Sequence, residues 1–273
     1  MGANIEASNG MLPISLSPAL FQKQYTYELP VASAQVKSSI LLAGLAAGVG
    51  IEIIEPVQTR DHTERMLKHF GADIEITSKG SKNVIQLSSF NHLQAQDYKV
   101  VGDISSAAFL IVGALISNSP GLKITNVGMN PSRTGVLDAL QKMGANIEVK
   151  NQRIESGEPC ADLEVKESVL RGVELSGDII PNIIDEIPVI SIAAAFAEGE
   201  TVIRDAAELR VKESDRLKAV SDGFNTLGVV HKNLDDGMCI SGSPDTLSID
   251  QSATIESHDD HRIAMSFLIA GLK

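Results

Sequence analysis

Cysteine is nearly absent from this 273-residue chain: Cys160 and Cys239 are the only two, and neither has partners at metal-ligand spacing. So few thiols exclude a disulfide-dense secreted scaffold and fit a reducing cytoplasm. Cations are scarce too, 23 Lys and Arg against 35 Asp and Glu, for a formal net charge of -12. That balance excludes a general binder of nucleic acid or anionic membrane, because phosphate backbones attract fields of Lys and Arg. A local cluster of cations can still oppose the net sign, so small anionic substrates remain compatible with it. No apolar run, including Ala107–Ile116 and Ile192–Ala197, is long enough to span a bilayer. The opening Met1-Gly2-Ala3-Asn4-Ile5-Glu6 also lacks the basic region and apolar core of a signal peptide.

What is present is ordinary core material: 43% hydrophobic and 21% charged residues, values of a folded globular protein. The length favours two globular units. The opening hexapeptide recurs unchanged as Met143-Gly144-Ala145-Asn146-Ile147-Glu148, and nearly so as Phe70-Gly71-Ala72-Asp73-Ile74-Glu75. A weaker copy is Leu227-Gly228-Val229-Val230. The period is roughly seventy residues, too long for a solenoid of short repeats.

Each period has one grammar: a small-residue apolar helix, a β-rich segment, an amphipathic helix, then a Gly leading into a strand. The first helices are expected over Ser33–Leu45, Ser105–Ile116, Pro188–Ala197 and Arg262–Ala270, the second over His62–Phe70, Gly135–Met143 and Asp215–Leu227. Val136, Leu137, Leu140 and Met143 form an apolar stripe on one of these. The glycine after each second helix suits a left-handed position, where a Cβ would be strained. The unit is roughly βαβαββ. In this grammar Met1 aligns with Met143, at the end of a second helix, and Lys273 follows a first helix, so we expect the chain to be incomplete at both ends.

Several segments carry candidate chemistry. Ser33 is placed to cap an uncharged helix whose first turn holds Gln35; a helix start is also an anion site, and the residues alone leave both roles open. Similar starts occur at Asp103-Ile104-Ser105-Ser106 and Asp185-Glu186-Ile187-Pro188, where capping is the default. Thr59-Arg60-Asp61-His62-Thr63-Glu64 suggests a capping box from Asp61 to Glu64, with Arg60 just outside the helix and able to reach a ligand. At helical spacing Lys212 and Arg216 share a face and Glu213 neighbours Arg216, a pattern equally suited to a solvated, salt-bridged surface. His258 and His261 flank Asp259-Asp260 before the last helix, but no third ligand stands at recognisable spacing, so no metal is expected.

Together these segments resemble the EPSP synthase family over essentially the whole chain. The matches are Ser33-Ala34-Gln35-Val36-Lys37-Ser38, Thr59-Arg60-Asp61-His62-Thr63-Glu64, Gly102-Asp103-Ile104-Ser105-Ser106-Ala107, Asn130-Pro131-Ser132-Arg133-Thr134-Gly135, Arg210-Val211-Lys212-Glu213-Ser214-Asp215-Arg216 and Asp260-His261-Arg262-Ile263-Ala264-Met265. Six motifs in order are highly specific.

The resemblance implies an α/β fold of repeated βαβαββ units, the enolpyruvyl transferase-like inside-out α/β barrel, in two domains that are incomplete here. Residues 1–100 would be part of one domain and 101–273 most of the other, with a crossover near Tyr98–Asp103. It implies transfer of the enolpyruvyl group of phosphoenolpyruvate to the 5-hydroxyl of shikimate 3-phosphate, without a cofactor, by a cytoplasmic and monomeric parent enzyme. Those two small molecules would be its partners, with neither nucleic acid nor membrane.

By the same similarity Ser33, Ala34, Gln35 and Arg60 would line the shikimate 3-phosphate site, with Gln35 also near phosphoenolpyruvate. Asp185 would accept the hydroxyl proton, Lys212 would contact the acceptor and assist proton transfer, and Glu213 would exchange a proton at the methylene carbon. Arg216 and Arg262 would clamp phosphoenolpyruvate, with His261 a weaker candidate. Other family segments that complete the ligand clamp have no counterpart, so the 273 residues alone are expected to fold locally without catalysing the transfer. The related UDP-N-acetylglucosamine enolpyruvyl transferase is disfavoured because its catalytic Cys loop has no match. A non-enzymatic repeat scaffold would give the cations at Lys212, Arg216 and Arg262 no purpose.

Overall fold

The computed structural model describes residues 2–18, 20–80, 82–90, 92–117, 119–244 and 253–273. Met1, whose alignment with Met143 underlies the expectation about the chain start, lies outside them. The chain divides into two compact units, residues 1–99 with 156–158, and residues 100–155 with 159–273.

The first unit opens with an antiparallel hairpin, β1 (Asn4–Ser8) and β2 (Met11–Ser17). A complete βαβαββ unit follows: β3 (Gln24–Glu28), α1 (Ala34–Ala47), β4 (Gly50–Glu55), α2 (His62–His69), β5 (Ile74–Lys79) and β6 (Lys82–Leu87). Its sheet order is β3-β4-β6-β5, with β3 parallel to β4 and the other pairs antiparallel. Strand alternation sends Ile51, Ile53 and Glu55 of β4 to the buried face. Helix periodicity sends Lys37, Leu41 and Gly44 of α1 inward, and Glu64 with Leu67 of α2. A Cβ on Gly44 would stand 2.2 Å from Ile51 Cγ1, so a glycine is what lets α1 lie this close to β4.

The second unit repeats the arrangement. Its first copy is α3 (Ile104–Ile116), β7 (Leu122–Gly128), α4 (Gly135–Lys142), β8 (Asn146–Glu155) and β9 (Glu158–Lys166). These strands pair in the order β7-β9-β8, and Gly102 bridges Val127 in parallel where the first strand of a unit belongs. The next copy is β10 (Glu174–Leu175), α5 (Ile180–Ile183), α6 (Ile187–Ala195), β11 (Gly199–Ile203), α7 (Arg216–Leu227), β12 (His231–Leu234) and β13 (Gly237–Gly242), ordered β10-β11-β13-β12. Helix α8 (His261–Ala270) begins another.

Helices α3, α6 and α8 pack on one another. All nine residues of α6 and eleven of the thirteen in α3 are buried, as expected of helices that are apolar on every side. The stripe predicted on α4 is fully internal, with Val136, Leu137, Leu140 and Met143 all in the core. Gly71, Gly144 and Gly228 each adopt positive φ, 84°, 95° and 72°, immediately after the second helices, and Gly2 does the same at 88°. The repeated hexapeptide is therefore a repeated chain reversal into a strand.

Candidate functional site

In the first unit the predicted cap is made: Ser33 is extended (φ −135°, ψ 109°) and its Oγ accepts the Val36 N–H at 3.3 Å. Ser33, Ala34 and Arg60 are half-buried and Gln35 is exposed. The capping box expected from Asp61 to Glu64 does not form. Asp61 makes no side-chain cap and instead accepts Arg65 Nε at 2.9 Å, while Glu64 turns inward to Lys37 Nζ at 2.7 Å. The reason is the ammonium of Lys37: it occupies a core-facing position of α1 and must be met by an anion. Glu55 meets it as well, at 3.0 Å. The Thr59 backbone N–H donates to the same Glu55 oxygen at 2.9 Å, as does its hydroxyl. Ser38 and Thr63 share a hydrogen bond of 2.7 Å.

In the second unit three helix starts supply one ionic cluster. Asp260 caps α8 by accepting the Arg262 N–H at 2.9 Å. Its other oxygen takes Arg216 Nε at 2.8 Å and Ser214 Oγ at 3.0 Å. The Arg216 guanidinium, 1% exposed, also reaches Asp185 through Nη1 at 3.3 Å and Glu213 through Nη2 at 2.6 Å. Arg262 donates from Nη1 to the Asp185 carbonyl at 3.0 Å and lies 3.5 Å from Glu186 and, through Nη2, 3.7 Å from the Asp185 carboxylate. Burial alone would raise the Asp260 pKa, but the hydrogen bonds from Arg216, the Arg262 amide and Ser214, with the Arg216 charge, hold it below the ordinary range.

Glu186, directly after Asp185, is buried and goes the other way. Desolvation raises its pKa, opposed by a hydrogen bond from Ser105 and by the charges of Arg262 and Arg133. Arg133 itself donates to Ser105 and, at 3.1 Å, to Asp103. Asp103 is the cap of α3 as expected, but Glu186, at the N-cap position of α6, makes no side-chain cap. The Glu186 carboxylate accepts the Ser105 hydroxyl and faces Arg262 instead, while that of Asp185 pairs with Arg216 and Arg262.

Asp185, Glu213, Arg216 and Arg262 thus meet in one network. Lys212 stands apart from it: the expected helical face shared with Arg216 does not exist, because Asp215 caps α7 and starts the helix at Arg216. Residues 207–211 form a separate 3-10 turn, Lys212 is extended, and its Nζ pairs with Glu208. His261 is exposed. Asp260, Glu186, Ser105 and Arg133 join this network without being among the expected site residues, although all sit in the segments quoted above; the signal for them is an acid or Arg at a helix start whose partner lies in another repeat. A cavity of about 580 Å³ beside α2 and β5 is lined by none of the expected site residues. Among the described residues no group of three or more His, Cys, Asp or Glu is arranged to hold a metal, and no helix is long and apolar enough to cross a membrane.

Residues 1–273 match the model of a family described as EPSP synthase (3-phosphoshikimate 1-carboxyvinyltransferase). A 3-phosphoshikimate 1-carboxyvinyltransferase of Magnetococcus marinus is 47% identical over 275 aligned residues, covering all of this chain and 60% of that protein. One of Desulforudis audaxviator is 52% identical over 246 residues, 90% of this chain and 56% of its own length. Among solved structures, an EPSP synthase from Acinetobacter baumannii superposes with a TM-score of 0.88 at 46% identity, over the whole of this chain and 62% of that one. The chain therefore spans about 60% of the length of the curated relatives it matches.

Proposed function

Since the chain belongs to the EPSP synthase family, we propose that its residues serve the transfer of the enolpyruvyl group of phosphoenolpyruvate to the 5-hydroxyl of shikimate 3-phosphate, with release of phosphate, in the cytoplasm. The observation that carries this reading is the Asp185–Arg216–Arg262 cluster, in which one carboxylate is held between two guanidinium groups. Proton gain at the methylene carbon of phosphoenolpyruvate makes its C2 electrophilic. The acceptor hydroxyl adds to C2 while losing its proton, and loss of phosphate and of a methyl proton then restores the double bond.

In this scheme Asp185 takes the hydroxyl proton; its contacts with Arg216 and Arg262 hold its carboxylate oriented for that task. Glu213, on the exposed side of Arg216, exchanges the proton at the methylene carbon. Arg216 and Arg262 bind the carboxylate and phosphate of phosphoenolpyruvate as planar forks. To do so they exchange part of their present acidic partners for substrate, and Glu213, 59% exposed, is the partner of Arg216 best able to leave. Lys212 exchanges Glu208 for the acceptor in the same way. Ser33, Ala34, Gln35 and Arg60 contribute contacts to the acceptor phosphate, using the first-turn amides of α1 and a guanidinium. Each compact unit belongs to a separate domain.

The test is steady-state kinetics on the full-length protein. Asp185→Asn should lower kcat by about a hundredfold or more with little change in the KM for phosphoenolpyruvate, as loss of a general base does. Arg262→Lys should raise that KM by about tenfold, because an ammonium cannot reproduce the fork. The reverse pattern would show that base and clamp have been misassigned.

A further inference from the structure

Three fully buried charges in the first unit have no place in the scheme above. Lys37 is 1% exposed and Glu55 and Glu64 are each 2% exposed. Each stands on a different element, at the position its own periodicity turns into the core: Lys37 above Leu41 on α1, Glu55 after Ile51 and Ile53 on β4, Glu64 beside Leu67 on α2. Three apolar side chains there would pack at least as well, since burying an ion pair commonly costs more than its attraction returns. What the charges supply instead is a fixed geometry.

That geometry surrounds Arg60. One residue before it, Thr59 is held through both its backbone N–H and its hydroxyl by Glu55. Three and four residues after it, Thr63 is bonded to Ser38 of α1 and Glu64 to Lys37 of α1. Lys37 is two residues beyond Gln35 on the helix that Ser33 caps. A single ammonium therefore fastens the segment on both sides of Arg60 to the first turns of α1.

We propose that Lys37, Glu55 and Glu64 form a buried ionic lock that holds Arg60 in register with the N-terminal turn of α1, which makes Lys37 a positioning residue for recognition of the acceptor's phosphate. This rests on the assignment of Ser33, Gln35 and Arg60 to that phosphate. The lock is one positive charge against two negative ones, and burial raises the Glu64 pKa against the opposing hydrogen bond and charge of Lys37. Glu64 Oε2 is buried without a hydrogen-bond partner among the described residues.

The experiment uses the full-length protein with all three groups made neutral, Lys37→Met/Glu55→Gln/Glu64→Met, so that no lone charge is buried. Chemical denaturation should show stability unchanged or raised. The KM for shikimate 3-phosphate should nevertheless rise by about tenfold while that for phosphoenolpyruvate stays within about twofold. Arg60→Ala should raise the same KM, and adding it to the triple variant should have much less than its separate effect, since both disturb one interaction. If Arg60→Ala acts and the triple variant leaves the acceptor KM unchanged, the lock is structural only and the inference falls. If Arg60→Ala itself is silent, the phosphate assignment falls and takes the inference with it. Should the triple variant not fold, Ser38→Ala/Thr63→Val cuts the second tie; it should raise the acceptor KM about threefold, and no change would overturn the proposal.

Discussion

Among the described residues each unit buries one cation amid carboxylates, and the two sites are built differently. In the first, Lys37 Nζ stands between Glu55 and Glu64, and one oxygen of Glu64 has no hydrogen-bond partner among the described residues. In the second, Arg216 assigns Nε, Nη1 and Nη2 to Asp260, Asp185 and Glu213, one acid to each nitrogen. A guanidinium spreads its donors over a fork and can organise several carboxylates at fixed angles; an ammonium is a compact charge that attracts them without fixing their second oxygens. The Lys37 site has surplus acid that burial pushes toward protonation. The Arg216 site keeps Asp260 ionised below the ordinary range. The first arrangement suits a static lock. The second suits a cluster from which an exposed carboxylate can be exchanged for a substrate anion.

The largest effect that would sharpen this contrast is expected from Arg216→Met. It strands Asp260, which is wholly buried, beside Asp185, and breaking a buried pair in this way typically costs about 3–5 kcal/mol. Urea denaturation of the full-length protein at pH 7 measures it. Lys37→Met should cost less, about 2–3 kcal/mol, because Glu64 can escape its own charge by taking up a proton. The cost should also shrink as the pH is lowered from 8 to 5. Equal costs for the two variants, each independent of pH, would dissolve the distinction.

The signs of the pH dependence differ between the two sites. Asp260 has its pKa lowered by folding, so its contribution is present above the ordinary Asp range and lost as pH falls through the folded value. Asp260→Asn should therefore flatten the acid limb of the stability profile. Glu64 and Glu186 have theirs raised, chiefly by burial, so each favours the fold at low pH and loses that contribution as pH rises from the ordinary Glu range through the folded value. Glu186→Gln should flatten the profile on that side. Stability against pH by thermal unfolding separates the two limbs, and an acid limb unchanged in Asp260→Asn would show that its ion pairs are replaced by solvent.

The parts of this contrast that were legible in the sequence are those carried by local pattern. The Gly after each amphipathic helix, the apolar helices, and the caps Ser33 and Asp103 follow from spacing and side-chain type within a few residues. The buried ions were not legible, because Lys37, Glu55 and Glu64 are 18 and 27 residues apart and each alone looks like a surface charge. Asp61 and Glu64 matched a capping box, yet the long-range demand of Lys37 outweighed the local one. Lys212 and Arg216 matched a helical pair, but the cap at Asp215 set the helix start between them. Local rules read out the scaffold; charge pairing across elements decides which of two local options each acid takes.

The smallest expected effect, and the most direct probe of the surplus acid, is Glu64→Gln. The amide keeps the shape of the protonated carboxyl, and its oxygen can still accept from Lys37 at the position now held by Oε1. What it removes is a negative charge that the site has one ammonium too few to neutralise, since Glu55 already claims Lys37. What it adds is an NH2 group where Oε2 has no partner among the described residues, and an unmet buried donor costs about 1–3 kcal/mol. The gain from removing an unbalanced buried charge offsets that cost, so the net change at pH 7 should lie within about 1 kcal/mol. Below the ordinary Glu range the wild-type carboxyl is itself protonated and presents an O–H in the same partnerless place, so only the second N–H of the amide sets them apart and the variant should be slightly the less stable of the two. A variant that is instead most destabilised at alkaline pH would mean that Glu64 works as an anion there, and that Lys37 satisfies two carboxylates as fully as Arg216 satisfies three.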